Sequence, residues 1–282
     1  MKRVFNIIIY LLAGVGLFLL LGWVALELGL TNTPGGEDLG RRFQPDLAGV
    51  GAGLEQDYLW AKGEEWATLE GAISKDAKVI EQAARVAGID PRLLTACLVV
   101  EQLRLYHSER EVFKQVFSPL VILGNQSQFS WGVMGMKRET AVMVERFLKD
   151  KNSPYYLGAR YEQLLDFETN ELAIPADRQE QERFVRLVNE DDHYWSYLYS
   201  AIYLKQVAQQ WQQAGYPIDG KVGVLATLFN IGFTNSKPKA DPKVGGAMIE
   251  IGEIDYTFGG LAEEFYYSSQ LTNLFPIIAE RR

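Results

Sequence analysis

The chain opens on an almost unbroken apolar run. Over residues 4–26, in "MKRVFNIIIYLLAGVGLFLLLGWVALELGL", only Asn6 and a few glycines interrupt it. A helix needs roughly 20 apolar residues to cross a bilayer core, so residues 1–28 are read as an N-terminal transmembrane anchor, with a signal sequence as the alternative. Residues 29–55 lose the pattern. They are rich in Gly, hold Pro34 and Pro45 and show no apolar period, which describes a flexible tether. From Gln56 onward a helical period takes over. "YLWAKGEEWATLEGAIS" and "KDAKVIEQAARVAG" each place apolar residues on one face, and Gly88 is positioned to close the second. In "IDPRLLTACLVVEQLRL", Asp90 is placed to cap a helix and Pro91 to occupy its first position, where the missing N–H is harmless. Further helices are predicted over 137–149, 155–167, 178–188, 192–213 with Gly215 as the stop, and 222–230. "AMIEIGEIDYTF", residues 247–258, alternates as a strand pair. The predicted architecture of residues 56–282 is mainly α with a small β-hairpin, and no fixed-period repeat is present.

Composition narrows the function. The 282 residues are 48% hydrophobic, enough for a sizeable core, and the formal net charge of −8 argues against a nucleic-acid partner, whose phosphates require clustered cations. A lone cysteine, Cys97, excludes an intramolecular disulfide and the paired spacing of a zinc site. Cys97 lies on an apolar stripe and reads as a packing residue. His107 and His193 are far apart and form no relay. No metal and no cofactor are expected. Lys2 and Arg3 precede the apolar run, while Glu27, Glu37 and Asp38 follow it. Basic flanks stay in the cytoplasm, so the expected location is a single-pass membrane protein with its main domain on the periplasmic or extracytoplasmic side.

One carboxylate stands out. On a helix Glu101 shares its stripe with Leu94, Cys97, Leu98 and Leu105, since residues three and four apart lie on one face. Dehydration there would favour the protonated form, which a general acid needs. The alternative is an ordinary surface pair with Arg104 one turn on. Two later stretches bear on the choice: "QFSWGVMGMKRETA", a turn running into a helix, and "VLATLFNIGF", a short helix ending in Asn and Gly.

Taken in order with "GIDPRLLTACLVVEQ", these stretches resemble the lysozyme-like lytic transglycosylases, which cut peptidoglycan glycan strands. In that family a helix after a "D-P" pair ends in a catalytic Glu, a "G-L-M-Q" turn leads into "T-A", and an "A-Y-N-x-G" helix end follows. Here the matching residues are Glu101, Gly132-Val133-Met134-Gly135 leading to Thr140-Ala141, and Phe229-Asn230-Ile231-Gly232. The chain departs from the family at Gln102, where Ser is usual, at Gly135, where Gln stands, and at Phe229, where Tyr stands. The interval from Glu101 to Gly132 is also longer than usual. The resemblance implies a lysozyme-like catalytic domain over 56–282 that cleaves the MurNAc–GlcNAc bond and forms 1,6-anhydro-MurNAc, with Glu101 as both acid and base. Ser130, Trp131, Met134, Phe229 and Asn230 are its implied substrate-binding residues. Two alternatives stay open: a hydrolytic muramidase, which needs a second carboxylate, and a non-catalytic glycan-binding or scaffold protein working with cell-wall or secretion machinery.

Overall fold

The computed structural model describes residues 58–107, 130–167 and 176–277, together with positions 14 and 17. The chain divides into two units, residues 1–44 and 45–282. In the first, Gly14 and Leu17 are helical and exposed. The expected anchor and tether otherwise lie outside the described residues, and no helix among the described residues is long and apolar enough to cross a membrane.

The second unit is mainly α. Its helices are α1 (Glu64–Ala87), α2 (Pro91–His107), α3 (Arg138–Lys149), α4 (Ala176–Val188), α5 (Tyr194–Gln213), α6 (Val222–Ile231) and α7 (Phe258–Tyr267). Two antiparallel hairpins punctuate them: β1 (Ser130–Trp131) with β2 (Met136–Lys137), and β3 (Met248–Ile251) with β4 (Ile254–Thr257).

The start of the first helical pattern makes a separate 3-10 turn, Leu59–Ala61, whereas from Glu64 the two patterns before Gly88 form one helix, since nothing between Ser74 and Lys75 breaks the period. Trp66, Ile73, Ala77, Ile80, Ala84 and Ala87 make its buried face. At its end Gly88 N–H donates to Arg85 O and Ile89 N–H to Ala84 O, a Schellman closure. Two residues later Asp90 Oδ1 accepts from the Arg92 N–H at 2.8 Å and starts α2 as an N-cap. This helix is not amphipathic: every residue from Arg92 to Glu101 is buried. It is the central element, packed by α1, α6, α7 and β3.

Residues 155–167 do not form the expected helix. They make turns with a short 3-10 segment, Ala159–Tyr161. Gly158 takes φ +101, which halts a helix, and the Tyr155 ring is drawn into a stack with Phe147 at 4.5 Å and an edge-to-face contact with Phe233 at 4.8 Å. Aromatic packing, not helix period, explains the apolar spacing there.

The segment after Asn235 carries the expected strand pair, with Met248 opposite Thr257 and Ile251 opposite Ile254, and then α7. Arg92 joins α7 to α2. Its fully buried guanidinium donates to the carbonyls of Phe265, Tyr266, Ser268, Gln270 and Phe275 at 2.6–3.1 Å. Two of these belong to the last turn of α7, at the negative end of the helix dipole, where Phe265 O also accepts from the Ser268 N–H and hydroxyl. The Tyr266 hydroxyl returns a bond to Asp90 Oδ2 at 2.5 Å.

Another half-buried acid lies on α7. Glu264 accepts from the Trp60 indole at 3.0 Å, and burial raises its carboxyl above the ordinary value, opposed by that bond. Burial first, and then the Glu264 charge, push the Tyr256 phenol up to about 12. A carboxyl raised on folding contributes stability that is complete below its unfolded value and lost as pH climbs through the folded value. Glu264→Gln keeps an acceptor for Trp60 but no charge. The variant is therefore expected to match the wild type in thermal unfolding near pH 4 and to exceed it increasingly toward neutral pH. A wild type that gains on the variant as pH rises would contradict this assignment.

Candidate functional site

Glu101 sits in the last two turns of α2 and is only 4% exposed. Glu101 combines parts of both alternatives drawn from the sequence: it is buried on its stripe, and it pairs with Arg104 there rather than at the surface. Arg104 Nη2 lies 2.5 Å from Glu101 Oε1 and its Nε 3.1 Å from Oε2, a bidentate ion pair. Arg104 itself keeps 18% of its side chain in solvent.

Main chain also comes close to the carboxylate. The β1–β2 turn closes with Gly135 N–H donating to Gly132 O at 3.1 Å. Gly135, at φ +60, stands so near that a Cβ there would lie 1.9 Å from Glu101 Oε1 and 2.5 Å from Cδ. Only glycine permits both this backbone conformation and this approach. The neighbouring Gln102 Nε2 donates to Val133 O at 2.5 Å and ties the turn to α2. Glu101, Gln102 and the Gly-Val-Met-Gly turn are thus one assembly, although about thirty residues separate them in sequence.

Helix α4 supports the turn from behind. A Cβ on Gly132 would meet Leu187 O at 1.9 Å, and Trp131 packs edge-to-face on Phe184 with centroids 5.3 Å apart. Few apolar residues hold this helix in place. Instead Arg183 Nε and Nη2 donate to the two oxygens of Glu145 on α3 at 2.7 and 2.6 Å, and its Nη1 donates to Glu180 at 2.8 Å. The Tyr199 hydroxyl of α5 adds a bond to Glu145 Oε1 at 2.6 Å. Burial first, then the Glu145 carboxylate, raise that phenol and keep it a donor. Breaking such a low-exposure pair from one side costs about 3–5 kcal/mol, because the other charge stays behind.

The remaining residues implied by the resemblance have mixed placements. Trp131 is 8% exposed and Met134 is fully buried in the core. The backbone of Ser130 pairs with Lys137. Phe229 is half-buried, with Tyr203 and Phe258 rings 5.4 and 6.3 Å away. Asn230 lies inside α6 and does not act as a left-handed cap: its Oδ1 accepts from Ala247 N–H at 2.8 Å and clamps the approach to β3. Cys97, one turn before Glu101, is fully buried. Burial, followed by the Glu101 charge, raises its thiol and removes it as a nucleophile. His107 ends α2 with Nε2 3.6 Å from Glu65 Oε1, and the connection after it lies outside the described residues. Asp166 pairs with Lys149 at 2.5 Å, and Asp192 accepts from the Tyr194 N–H at 3.0 Å. No group of His, Cys, Asp or Glu among the described residues is arranged to hold a metal ion.

Gln102 and α4 carried no sequence signal as parts of the site. A glutamine after a glutamate is unremarkable on a helix, and α4 reads as a solvated polar helix until its arginines are seen to face Glu145. What fold and site together define is a mainly helical domain whose central helix ends in one buried, arginine-paired carboxylate beneath a glycine turn. No protein-family model, curated protein or solved structure matches the chain.

Proposed function

We propose that the protein is a membrane-anchored peptidoglycan lytic transglycosylase acting outside the cytoplasm, with Glu101 as its single acid/base. Protonated Glu101 gives its proton to the glycosidic oxygen. The muramoyl N-acetyl group assists at the anomeric carbon, and the resulting carboxylate takes the proton of the same sugar's 6-hydroxyl as the 1,6-anhydro ring closes. One carboxyl suffices because it is regenerated at the end of the cycle. The observation that carries this reading is the packing of Glu101 directly against Gly135 of the Gly-Val-Met-Gly turn, with Gln102 bonded to the same turn. Two stretches that carry the family resemblance in the sequence meet at one carboxylate.

The ion pair with Arg104 and the 4% exposure of Glu101 favour a second reading, a glycan-binding or scaffold protein that does not cleave. Digestion of purified sacculi by the full-length protein separates the readings. Mass spectrometry should find anhydro-muropeptides. Reducing ends in their place would identify a hydrolase, and glycan binding without release of any fragment would identify the scaffold.

A further inference from the structure

The Glu101–Arg104 pair poses a chemical problem. An acid must be protonated and must reach the glycosidic oxygen, yet Arg104 contacts both oxygens of Glu101, at 2.5 and 3.1 Å, and Gly135 presses on Oε1. No donation is feasible while the guanidinium holds that fork. Separating the pair leaves a cation that has lost its counter-charge in a largely buried place, which is unfavourable unless another anion replaces it. Arg104 is also the member of the pair that solvent reaches, with 18% of its side chain exposed against 5% for Glu101. An approaching ligand therefore meets the guanidinium first. The planar fork suits a carboxylate, which accepts two parallel N–H bonds. Long-range attraction cannot perform this selection, because the chain carries a net charge of −8 and repels anions at a distance.

We propose that Arg104 is the specificity-determining residue of this site: it exchanges its ion pair with Glu101 for a carboxylate of the glycan substrate, so that carboxylate-bearing glycan is cleaved in preference to the same glycan made neutral. The proposal rests on the reading of Glu101 as the acid/base. It names the substrate class, an anionic glycan, and explains how a carboxylate locked in an ion pair becomes available only when the correct polymer is present.

The test compares initial cleavage rates of the full-length protein on sacculus glycan and on the same glycan with its carboxyls converted to amides. The wild type should cleave the native polymer about tenfold faster, equivalent to about 1.4 kcal/mol. Arg104→Met should bring the two rates together by slowing the native substrate, while Arg104→Lys, a point charge without the fork, should keep part of the preference. A wild type indifferent to amidation, or an Arg104→Met variant slowed equally on both polymers, overturns the proposal. Removing the peptide stems enzymatically frees the muramoyl lactyl carboxylate, which is masked as an amide in the native polymer: a preference that is lost on the stripped glycan places the partner on the stem, and one that persists there shows that the freed lactyl carboxylate also serves. Failure of the wild type to cleave either polymer refutes the acid/base reading instead. Sedimentation binding then still decides for Arg104, since discrimination lost in Arg104→Met supports its role and absence of discrimination in the wild type overturns it.

Discussion

Arg92→Leu is expected to destabilise the protein by about 4 kcal/mol or more, placing it among the most damaging single substitutions. Leucine fills much of the volume but supplies no donor, so five carbonyls lose the guanidinium; Phe265 O keeps the Ser268 N–H and hydroxyl and Gln270 O is partly buried, while those of Tyr266, Ser268 and Phe275 lose it in a buried place. Each buried acceptor left unpaired costs roughly 1–3 kcal/mol, and the sum is not additive because the chain after Tyr267 can rearrange. Arg92→Lys retains the charge but has three donors and no fork, so an intermediate loss is expected. Urea unfolding of the full-length variants checks both. A midpoint for Arg92→Leu within about 1 kcal/mol of the wild type would mean that these carbonyls find water, and that Arg92 does not fasten α7 to α2.

Gly135→Ala should separate activity from stability. The substitution places a Cβ 1.9 Å from Glu101 Oε1, 2.5 Å from Cδ and 3.0 Å from Cγ, at φ +60. The backbone conformation alone costs about 1–2 kcal/mol for an L-residue. The clash is with a side chain, so the fold survives by turning Glu101 into another rotamer and breaking its geometry with Arg104. A reacting group displaced by about 1 Å can lose about 100-fold in rate, and a loss of at least that size is expected in glycan cleavage, with only a modest fall in unfolding midpoint. Gly132→Ala makes the contrast. Its Cβ would meet the Leu187 carbonyl, which is main chain and cannot swing away, so stability should suffer first. Full activity in Gly135→Ala would show that Glu101 need not occupy the position seen beneath the turn.

The local features that were legible in the sequence were those that nearby residues determine. Asp90 and Pro91 start α2, Gly88 ends α1, and the alternation over 247–258 becomes β3 and β4. Residues 155–167 misled because the buried Tyr161 and Leu165, four apart, imitate a helix face in a turn-rich segment that Tyr155 anchors by ring packing. Arg92 was invisible for a different reason. In sequence it is an ordinary cation in a first turn, and its partners lie more than 170 residues away. The site was legible in part. Position, order and the glycines brought Glu101 and the turn together on the page. The departure at Gly135 acquires a cause only in three dimensions, since a glutamine at that place would occupy the same space as Glu101. Asn230, which the resemblance implies as a substrate-binding residue, holds Ala247 through its Oδ1, a long-range contact that no local pattern encodes.

The central claim is that one carboxyl, Glu101, carries the proton both ways. Glu101→Gln leaves one acceptor for Arg104 and nearly the same shape but removes its counter-charge, so the variant should fold with reduced stability and still bind glycan. General acid–base catalysis contributes roughly 100- to 10,000-fold, and the rate of anhydro-muropeptide release by the full-length variant should fall at least about 1,000-fold. Release by Glu101→Gln at the wild-type rate would contradict the account.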